Sequence, residues 1–132
     1  MKSVLIVDDD PMFREVVRMR LKAAGYQTYA AAGAEAGWEL VKAHRPDVVL
    51  LDLIMPEADG VSFLRRLRAD PALAPTPVIV VSGLSFMALT KAAEQLGIQS
   101  QLIKSRFTLT ELVQRVTSLL PDRAPSVVPI AS

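Results

Sequence analysis

Short apolar runs alternate with amphipathic segments over the first 120 residues of the chain. The apolar runs predict β-strands at residues 3–7, 26–31, 47–51, 78–81 and 100–103. Between them, apolar side chains at helical spacing predict helices at residues 11–24, 34–44, 61–68, 85–96 and 109–120. Asp10 and Pro11 are suited to start the first helix and Gly25 to end it, and Thr108 is suited to cap the last helix.

Five strands that alternate with five helices predict an α/β fold of the doubly wound type, with a parallel sheet covered by helices on both faces. The strands are apolar on both sides, as burial of both faces requires. We expect one domain over residues 1–120. Residues 121–132 contain three prolines and no hydrophobic periodicity, so we expect a disordered tail or a linker stub there.

Composition and charge exclude several classes of function. The 15 basic and 14 acidic side chains give a net charge of +1, and no basic run is present, so direct nucleic-acid binding is not expected. The chain has no cysteine, which excludes disulfides and thiolate metal sites. No apolar run is long enough to cross a membrane, and the N-terminus lacks the layout of a signal peptide. We therefore expect a cytoplasmic domain without a membrane partner.

Polar and charged side chains follow four of the five predicted strands. Asp8 and Asp9 follow the first strand, Asp52 the third, Ser82 the fourth and Lys104 the fifth. Because the carboxyl ends of parallel strands lie at one edge of the sheet, we expect these residues to meet there. Three neighbouring carboxylates repel one another, and a hard divalent cation such as Mg²⁺ relieves that repulsion. With the lysine as a second positive charge, the set indicates a site that binds a metal and a phosphoryl group together.

Four segments of the chain carry a family resemblance: LIVDDD at 5–10, VVLLDLIMPEADG at 48–60, PVIVVSG at 77–83 and LIK at 102–104. Over roughly residues 3–120 the sequence resembles the receiver domains of response regulators, the chemotaxis-regulator-like family of two-component signalling. The resemblance implies a flavodoxin-like, five-stranded sheet with strand order 2-1-3-4-5 and five helices.

The resemblance also implies roles for individual residues. Asp52 would be the phosphoacceptor, and Ser82 and Lys104 would contact the phosphoryl group. The implied ligands of Mg²⁺ (or Mn²⁺) are Asp9, Asp52, the Ile54 carbonyl and, through water, Asp8. Such a protein promotes its own phosphorylation and dephosphorylation but is not a turnover enzyme. The implied donor is a histidine kinase or phosphotransfer protein, and an effector or dimer partner would bind the fourth helix, fifth strand and fifth helix.

Two segments depart from the family pattern. The usual proline after the lysine is absent in Lys104-Ser105-Arg106-Phe107, and one extra residue precedes Phe107. Because a cis bond without proline is costly, we expect trans bonds and a different path for this loop. Gln101 stands where the family commonly has an aromatic residue. We therefore expect signal transmission to depend more on the loop after Ser82 and on the fourth helix.

Ile54 and Leu84 stand at two positions that influence hydrolysis of the phosphoryl group in the family. Both are apolar and cannot orient a water molecule, so we predict slow self-dephosphorylation. The segment 84–96 is rich in apolar residues, which predicts mostly core and some surface for a partner or dimer.

Several other residues are expected to be structural. We assign Asp10 to helix capping, Trp38 to packing, and Asp59-Gly60 to a turn, and we expect His44 to be an exposed helix residue.

Two other functions remain open at this point. A pseudo-receiver would bind proteins independently of phosphorylation, because the altered Lys104 loop no longer supports switching. A phosphoryl hydrolase with an Asp nucleophile is disfavoured, since no residue near Asp52 in the sequence offers a general acid or base.

Overall fold

The computed structural model describes residues 1–55, 60–82 and 87–120. Its strands are β1 (Ser3–Val7), β2 (Gln27–Ala31), β3 (Val48–Leu51), β4 (Val78–Ser82) and β5 (Ser100–Ile103). They form one sheet in the order β2-β1-β3-β4-β5, and all four strand pairs are parallel. The predicted strand order is therefore confirmed.

The described residues contain the five expected α-helices. These are α1 (Pro11–Ala23), α2 (Ala34–His44), α3 (Gly60–Ala69), α4 (Met87–Leu96) and α5 (Leu109–Leu119). A short 3-10 helix, Lys104–Arg106, lies between β5 and α5 and was not predicted. None of the described helices is long and apolar enough to cross a membrane.

The helix starts follow the predicted capping residues. Asp10 Oδ1 accepts hydrogen bonds from the backbone N–H groups of Met12 at 3.0 Å and Phe13 at 3.2 Å. Thr108 Oγ1 accepts one from the N–H of Glu111 at 3.1 Å. Each cap satisfies N–H groups that have no partner inside the helix. Both capping predictions are confirmed.

Alternate residues of the central strands enter two separate cores. One core lies under α2, α3 and α4, and its strand residues are Leu5, Val7, Val49, Leu51, Val78 and Val80. The other lies under α1 and α5, and its strand residues are Val4, Ile6, Val48, Leu50, Ile79, Val81 and Leu102. Burial on both faces explains why the strands read as continuous apolar runs.

The structural assignments of Trp38 and His44 are confirmed. Trp38 packs edge-to-face on Phe63, with ring centroids 6.3 Å apart. His44 is exposed at the end of α2, where it stacks on Tyr29 with centroids 4.1 Å apart. The first contact packs α2 against α3, and the second packs it against β2.

Four apolar side chains of α4 pack towards the core. Ala93 is fully buried, and Leu89, Ala92 and Leu96 are partly buried against the same core. The large apolar side chains that the described residues expose are Met1, Met12, Val16, Met19 and Ile54. The apolar surface expected on the segment 84–96 stays a prediction, because residues 84–86 lie outside the described part of the chain. The predictions for Asp59, Leu84 and the tail at 121–132 fall on residues outside the described part of the chain.

Candidate functional site

The carboxylates of Asp8, Asp9 and Asp52 meet at the carboxyl edge of the sheet, as predicted. Asp8 directly follows β1 and its N–H donates to the Ala31 carbonyl at 3.0 Å. Asp52 directly follows β3 and its N–H donates to the Val7 carbonyl at 2.9 Å. One carboxylate oxygen from each of the three residues lies within 4.8 Å of the others. The backbone of the sheet therefore holds two of the three acids rigidly in place.

Asp8 is the most enclosed of the three acids, with 2 % of its surface exposed. Its Oδ1 accepts a hydrogen bond from the Asp10 N–H at 2.9 Å. Its Oδ2 lies 2.8 Å from Lys104 Nζ but forms no aligned hydrogen bond with a described residue. Burial raises the pKa of Asp8 despite the opposing effects of the Lys104 ammonium and the Asp10 N–H. This carboxylate is consequently short of the positive charge that its burial requires.

Asp52 is also buried, and its two oxygens have different surroundings. Oδ1 accepts a hydrogen bond from the Ile54 N–H at 3.0 Å, whereas Oδ2 lies 3.6 Å from Lys104 Nζ. Burial raises the pKa of Asp52, and the negative charge of Asp8 adds to that effect. One oxygen is thus fixed by the backbone, and the other lies towards the lysine.

Lys104 is the first residue of the 3-10 helix that follows β5. Its ammonium contacts Asp8 and Asp52, and it also lies 4.6 Å from the centroid of the Phe13 ring. Burial acts to lower the pKa of Lys104, but the two ion pairs outweigh it and the pKa is raised. The structure contains no cis peptide bond among the described residues, which confirms the trans path expected for this loop.

Ser82 and Ile54 lie beside these charged groups. Ser82 is the last residue of β4, is buried, and is the register partner of Ile103, the residue before Lys104. Ile54 is 40 % exposed and follows the end of β3 by three residues. All of the residues singled out at the strand ends therefore lie at the same edge of the sheet.

Gly60, which the sequence suggested only as part of a turn, lies directly against this site. Its N–H donates to the Leu53 carbonyl at 2.8 Å. A Cβ atom at Gly60 would lie 2.3 Å from the Asp52 carbonyl oxygen and 2.9 Å from Leu53 Cα. Any other residue would therefore displace the backbone next to Asp52. The sequence offered one signal for this close approach, which is a glycine at the start of a predicted helix, soon after a candidate site residue.

The three acids suit a hard divalent cation. Oxygen atoms are the ligands that Mg²⁺ prefers, and the set provides them from three side chains at one point. The raised pKa values of Asp8 and Asp52 show that one lysine does not compensate their charges fully. A cation bound here would supply the missing positive charge.

Comparison with known proteins identifies the family. The family model described as "Response regulator receiver domain" matches residues 4–117. The chain belongs to this family. It is 34 % identical over 127 residues to the DNA-binding dual master transcriptional regulator RpaA of Synechocystis sp., covering 95 % of this chain and 52 % of that protein. It is 28 % identical over 121 residues to the polar-differentiation response regulator DivK of Brucella anthropi, covering 92 % of this chain and 98 % of that protein.

The solved structures of receiver proteins share the fold. The chemotaxis protein CheY4 of Vibrio cholerae superposes with a TM-score of 0.83 at 25 % sequence identity, covering 90 % of this chain and 98 % of that chain. The chain spans about half the length of several curated relatives that it matches, including RpaA. It is a receiver domain of the two-component type, and the sheet order predicted from the resemblance is that of the family.

Proposed function

We propose that this receiver domain accepts a phosphoryl group on Asp52 in a Mg²⁺-dependent reaction and thereby switches the binding of a partner protein. The observation that carries the proposal is the arrangement around Asp52. One carboxylate oxygen is fixed by the Ile54 N–H at 3.0 Å, and the other lies 3.6 Å from the Lys104 ammonium, beside two further acids. A fixed nucleophile with positive charge nearby is what phosphoryl transfer requires of a protein.

In the proposed reaction, Asp52 Oδ2 attacks the phosphorus atom of the donor. A bond forms between this oxygen and phosphorus, and the bond from phosphorus to the donor's leaving atom breaks, with its electron pair remaining on the leaving group. Lys104 would donate hydrogen bonds to the phosphoryl oxygens, and the hydroxyl of Ser82, which ends β4 beside the strand that carries Lys104, would donate another. Asp52 Oδ1 remains bound to the Ile54 N–H throughout.

The residues that would hold Mg²⁺ (or Mn²⁺) are Asp9 and Asp52, with the Ile54 carbonyl as a further ligand and Asp8 acting through water. The metal would neutralise charge on the phosphoryl oxygens and on the acids themselves. Asp9 is exposed and therefore accessible to an arriving cation. Asp8, which is buried, also holds the Lys104 ammonium at 2.8 Å.

The proposed donor is a histidine kinase or a phosphotransfer protein. The domain would be a stoichiometric acceptor and not a turnover enzyme, because the phosphoryl group stays on the protein as the signal. Since such donors obtain their phosphoryl group from ATP, we place the domain in the cytoplasm.

The proposed output surface consists of α4, β5 and α5. Lys104 directly follows β5, and Ser82 at the end of β4 pairs with the last residue of β5. A change in the contacts of Ser82 and Lys104 would therefore reach the β5 edge of the sheet first. No direct contact with nucleic acid is needed for this output, although the matching relative RpaA is described as DNA-binding.

The test is the intact mass of the protein after incubation with acetyl phosphate, with and without Mg²⁺. We expect a metal-dependent gain of one phosphoryl group that the Asp52→Asn variant does not show. Phosphorylation at another residue would appear as a gain in both proteins and would contradict the assignment. No gain from acetyl phosphate or from a panel of purified histidine kinases would instead favour a phosphorylation-independent binding module.

A further inference from the structure

The Lys104 ammonium lies between the carboxylates and an aromatic ring. Nζ is 2.8 Å from Asp8 Oδ2, 3.6 Å from Asp52 Oδ2 and 4.6 Å from the centroid of the Phe13 ring. We propose that Phe13 is a positioning residue, whose ring holds the Lys104 ammonium over the site during phosphoryl transfer to Asp52. The proposal rests on the proposed function of Asp52.

The position of the Phe13 ring is fixed by the start of α1. The Phe13 N–H donates to the Asp10 side chain at 3.2 Å, which caps the helix. Arg14 Nη1 donates to the Asp8 carbonyl at 2.7 Å, so that the first turn of α1 is tied to the residue that also holds Lys104. The ring and the carboxylates therefore belong to one connected piece of structure.

The backbone that carries Lys104 provides less constraint. Lys104–Arg106 is a single 3-10 turn without proline. Its second and third residues, Ser105 and Arg106, are exposed. A long lysine side chain on such a turn loses considerable rotamer freedom when it is held in one place. Phe107, at the end of the turn, packs edge-to-face on Phe13 with centroids 6.5 Å apart. The same ring thus anchors both the ammonium and the end of the turn.

The contact of Lys104 with the Phe13 ring persists during the reaction, whereas its ion pair with Asp52 does not. When Asp52 Oδ2 bonds to phosphorus, the bond from phosphorus to the acetate oxygen of acetyl phosphate breaks and acetate leaves with the electron pair. Asp52 thereby loses its negative charge, and the negative charge beside Lys104 is then that of the phosphoryl oxygens, which they already carried in the donor. Lys104 must then exchange carboxylate contacts for phosphoryl contacts. The face of an aromatic ring attracts the ammonium both before and after this exchange, because the reaction does not change the electron distribution of the ring. Phe13 would therefore guide Lys104 across the site.

The first measurement is the NMR signal of the Lys104 ε-methylene group in protein labelled with ¹³C-lysine. The sequence has five lysines, so the signal is assigned by its loss in Lys104→Arg. In the wild-type protein the Lys104 ε-protons should lie upfield of those of the other lysines, because they are close to the ring face. Phe13→Leu should abolish the upfield shift and Phe13→Tyr should retain it.

The second measurement is the rate of phosphorylation by acetyl phosphate with Mg²⁺, followed by intact mass over time. Phe13→Leu should slow the reaction about threefold to tenfold, the range for loss of one partly desolvated cation–π contact. Phe13→Tyr should react at nearly the wild-type rate. Met12→Leu, a change at a side chain on the same turn that is 75 % exposed, is the matched control. Thermal unfolding of each variant checks that it is folded.

A double-mutant cycle separates positioning of Lys104 from a general packing role. In a Lys104→Ala background, Phe13→Leu should have no further effect on the residual rate. An equal slowing in both backgrounds, an unshifted Lys104 signal in the wild type, or an unchanged rate in Phe13→Leu would each overturn the proposal. If the wild type takes up no phosphoryl group, positioning for transfer is refuted along with the proposed function. If the Lys104 signal is nevertheless upfield, the contact between Lys104 and the Phe13 ring is real and only the proposed function is wrong.

Discussion

Two partly buried cations lie at opposite ends of the sheet and are held in different ways. Lys104, at the carboxyl end, is paired with the carboxylates of Asp8 and Asp52. Arg68, near the amino end, makes no ion pair with a described residue. It donates to four backbone carbonyls instead, those of Ala74, Thr76, Leu96 and Gly97, at 2.9, 2.7, 3.0 and 2.6 Å.

The pKa values of the two cations shift in opposite directions. Burial lowers the pKa of Arg68, because carbonyl dipoles replace water without supplying a full negative charge. The pKa of Lys104 is raised, because its carboxylate partners outweigh burial. Arg68 joins the end of α3 to the segment before β4 and to the end of α4, so its contacts have a structural role. Lys104 has partners whose charge can change, and such an ion pair can serve as a switch.

The largest effect on stability is expected at Arg68. Arg68→Ala would leave four carbonyls without their donor, and we expect a loss of about 3 kcal/mol in the free energy of unfolding. Urea unfolding of wild type and variant measures it, with Arg68→Lys expected to recover part of the loss. Folded Arg68→Ala should still accept a phosphoryl group from acetyl phosphate. A stability within 0.5 kcal/mol of wild type, roughly the range of ordinary surface substitutions, would contradict the structural role.

Lys104→Ala should affect the reaction more than the stability. Removal of one donor to the transferred group should slow phosphorylation by acetyl phosphate about a hundredfold. Its effect on urea unfolding should be smaller than that of Arg68→Ala, because Asp8 and Asp52 can bind protons when their cation is lost whereas carbonyls cannot. If Lys104→Ala were as destabilising as Arg68→Ala while reacting normally, the distinction between the two cations would be wrong.

Asp52→Asn should stabilise the metal-free protein at pH 7, on the order of 1 kcal/mol in urea unfolding, because it removes a buried charge that is only partly compensated. The pKa of Asp52 is raised in the folded state. The contribution of this carboxyl to stability is therefore greatest below its unfolded pKa of about 3.9 and is lost as the pH rises through the folded value. The advantage of Asp52→Asn should shrink as the pH falls towards 4.

Asp8→Asn is the matched variant for that measurement. Asp8 has the closer lysine contact, 2.8 Å against 3.6 Å for Asp52, so its replacement should stabilise less. Added Mg²⁺ should stabilise the wild type more than either variant. A loss of stability in Asp52→Asn at pH 7 would show that Lys104 compensates the carboxylates fully.

The smallest effect is expected on the half-life of the phosphorylated form, in which the phosphoryl group lies beside Lys104. Ile54 is 40 % exposed, and its backbone N–H donates to Asp52 Oδ1, so this apolar residue is anchored at the proposed acceptor. Ile54→Asn should shorten the half-life of the phosphorylated form about threefold or more, because an amide can orient a water molecule for attack. Intact mass recorded after removal of acetyl phosphate measures it. An unchanged half-life would refute the proposed shielding by Ile54.

Much of the fold could be predicted because the pattern is simple. Strands buried on both faces read as continuous apolar runs, and Asp10, Thr108 and Gly25 mark helix ends through local backbone chemistry. Several predicted bounds are unchanged and most of the others move by one residue, as in β2, which starts at Gln27, and α3, which starts at Gly60. The 3-10 turn after β5 was missed, since three residues of this kind have no distinctive periodicity.

The sequence by itself determined the class of fold, the order of its elements and the acids at the strand ends. These follow from local propensity, from apolar periodicity and from the rule that parallel strands present their carboxyl ends at one edge. Only the tertiary structure decided which atoms meet there. Lys104 over Phe13, Gly60 against Asp52, and Arg68 on four carbonyls join residues distant along the chain. Such contacts depend on how helices pack on the sheet, to within an ångström, and no local pattern encodes that distance.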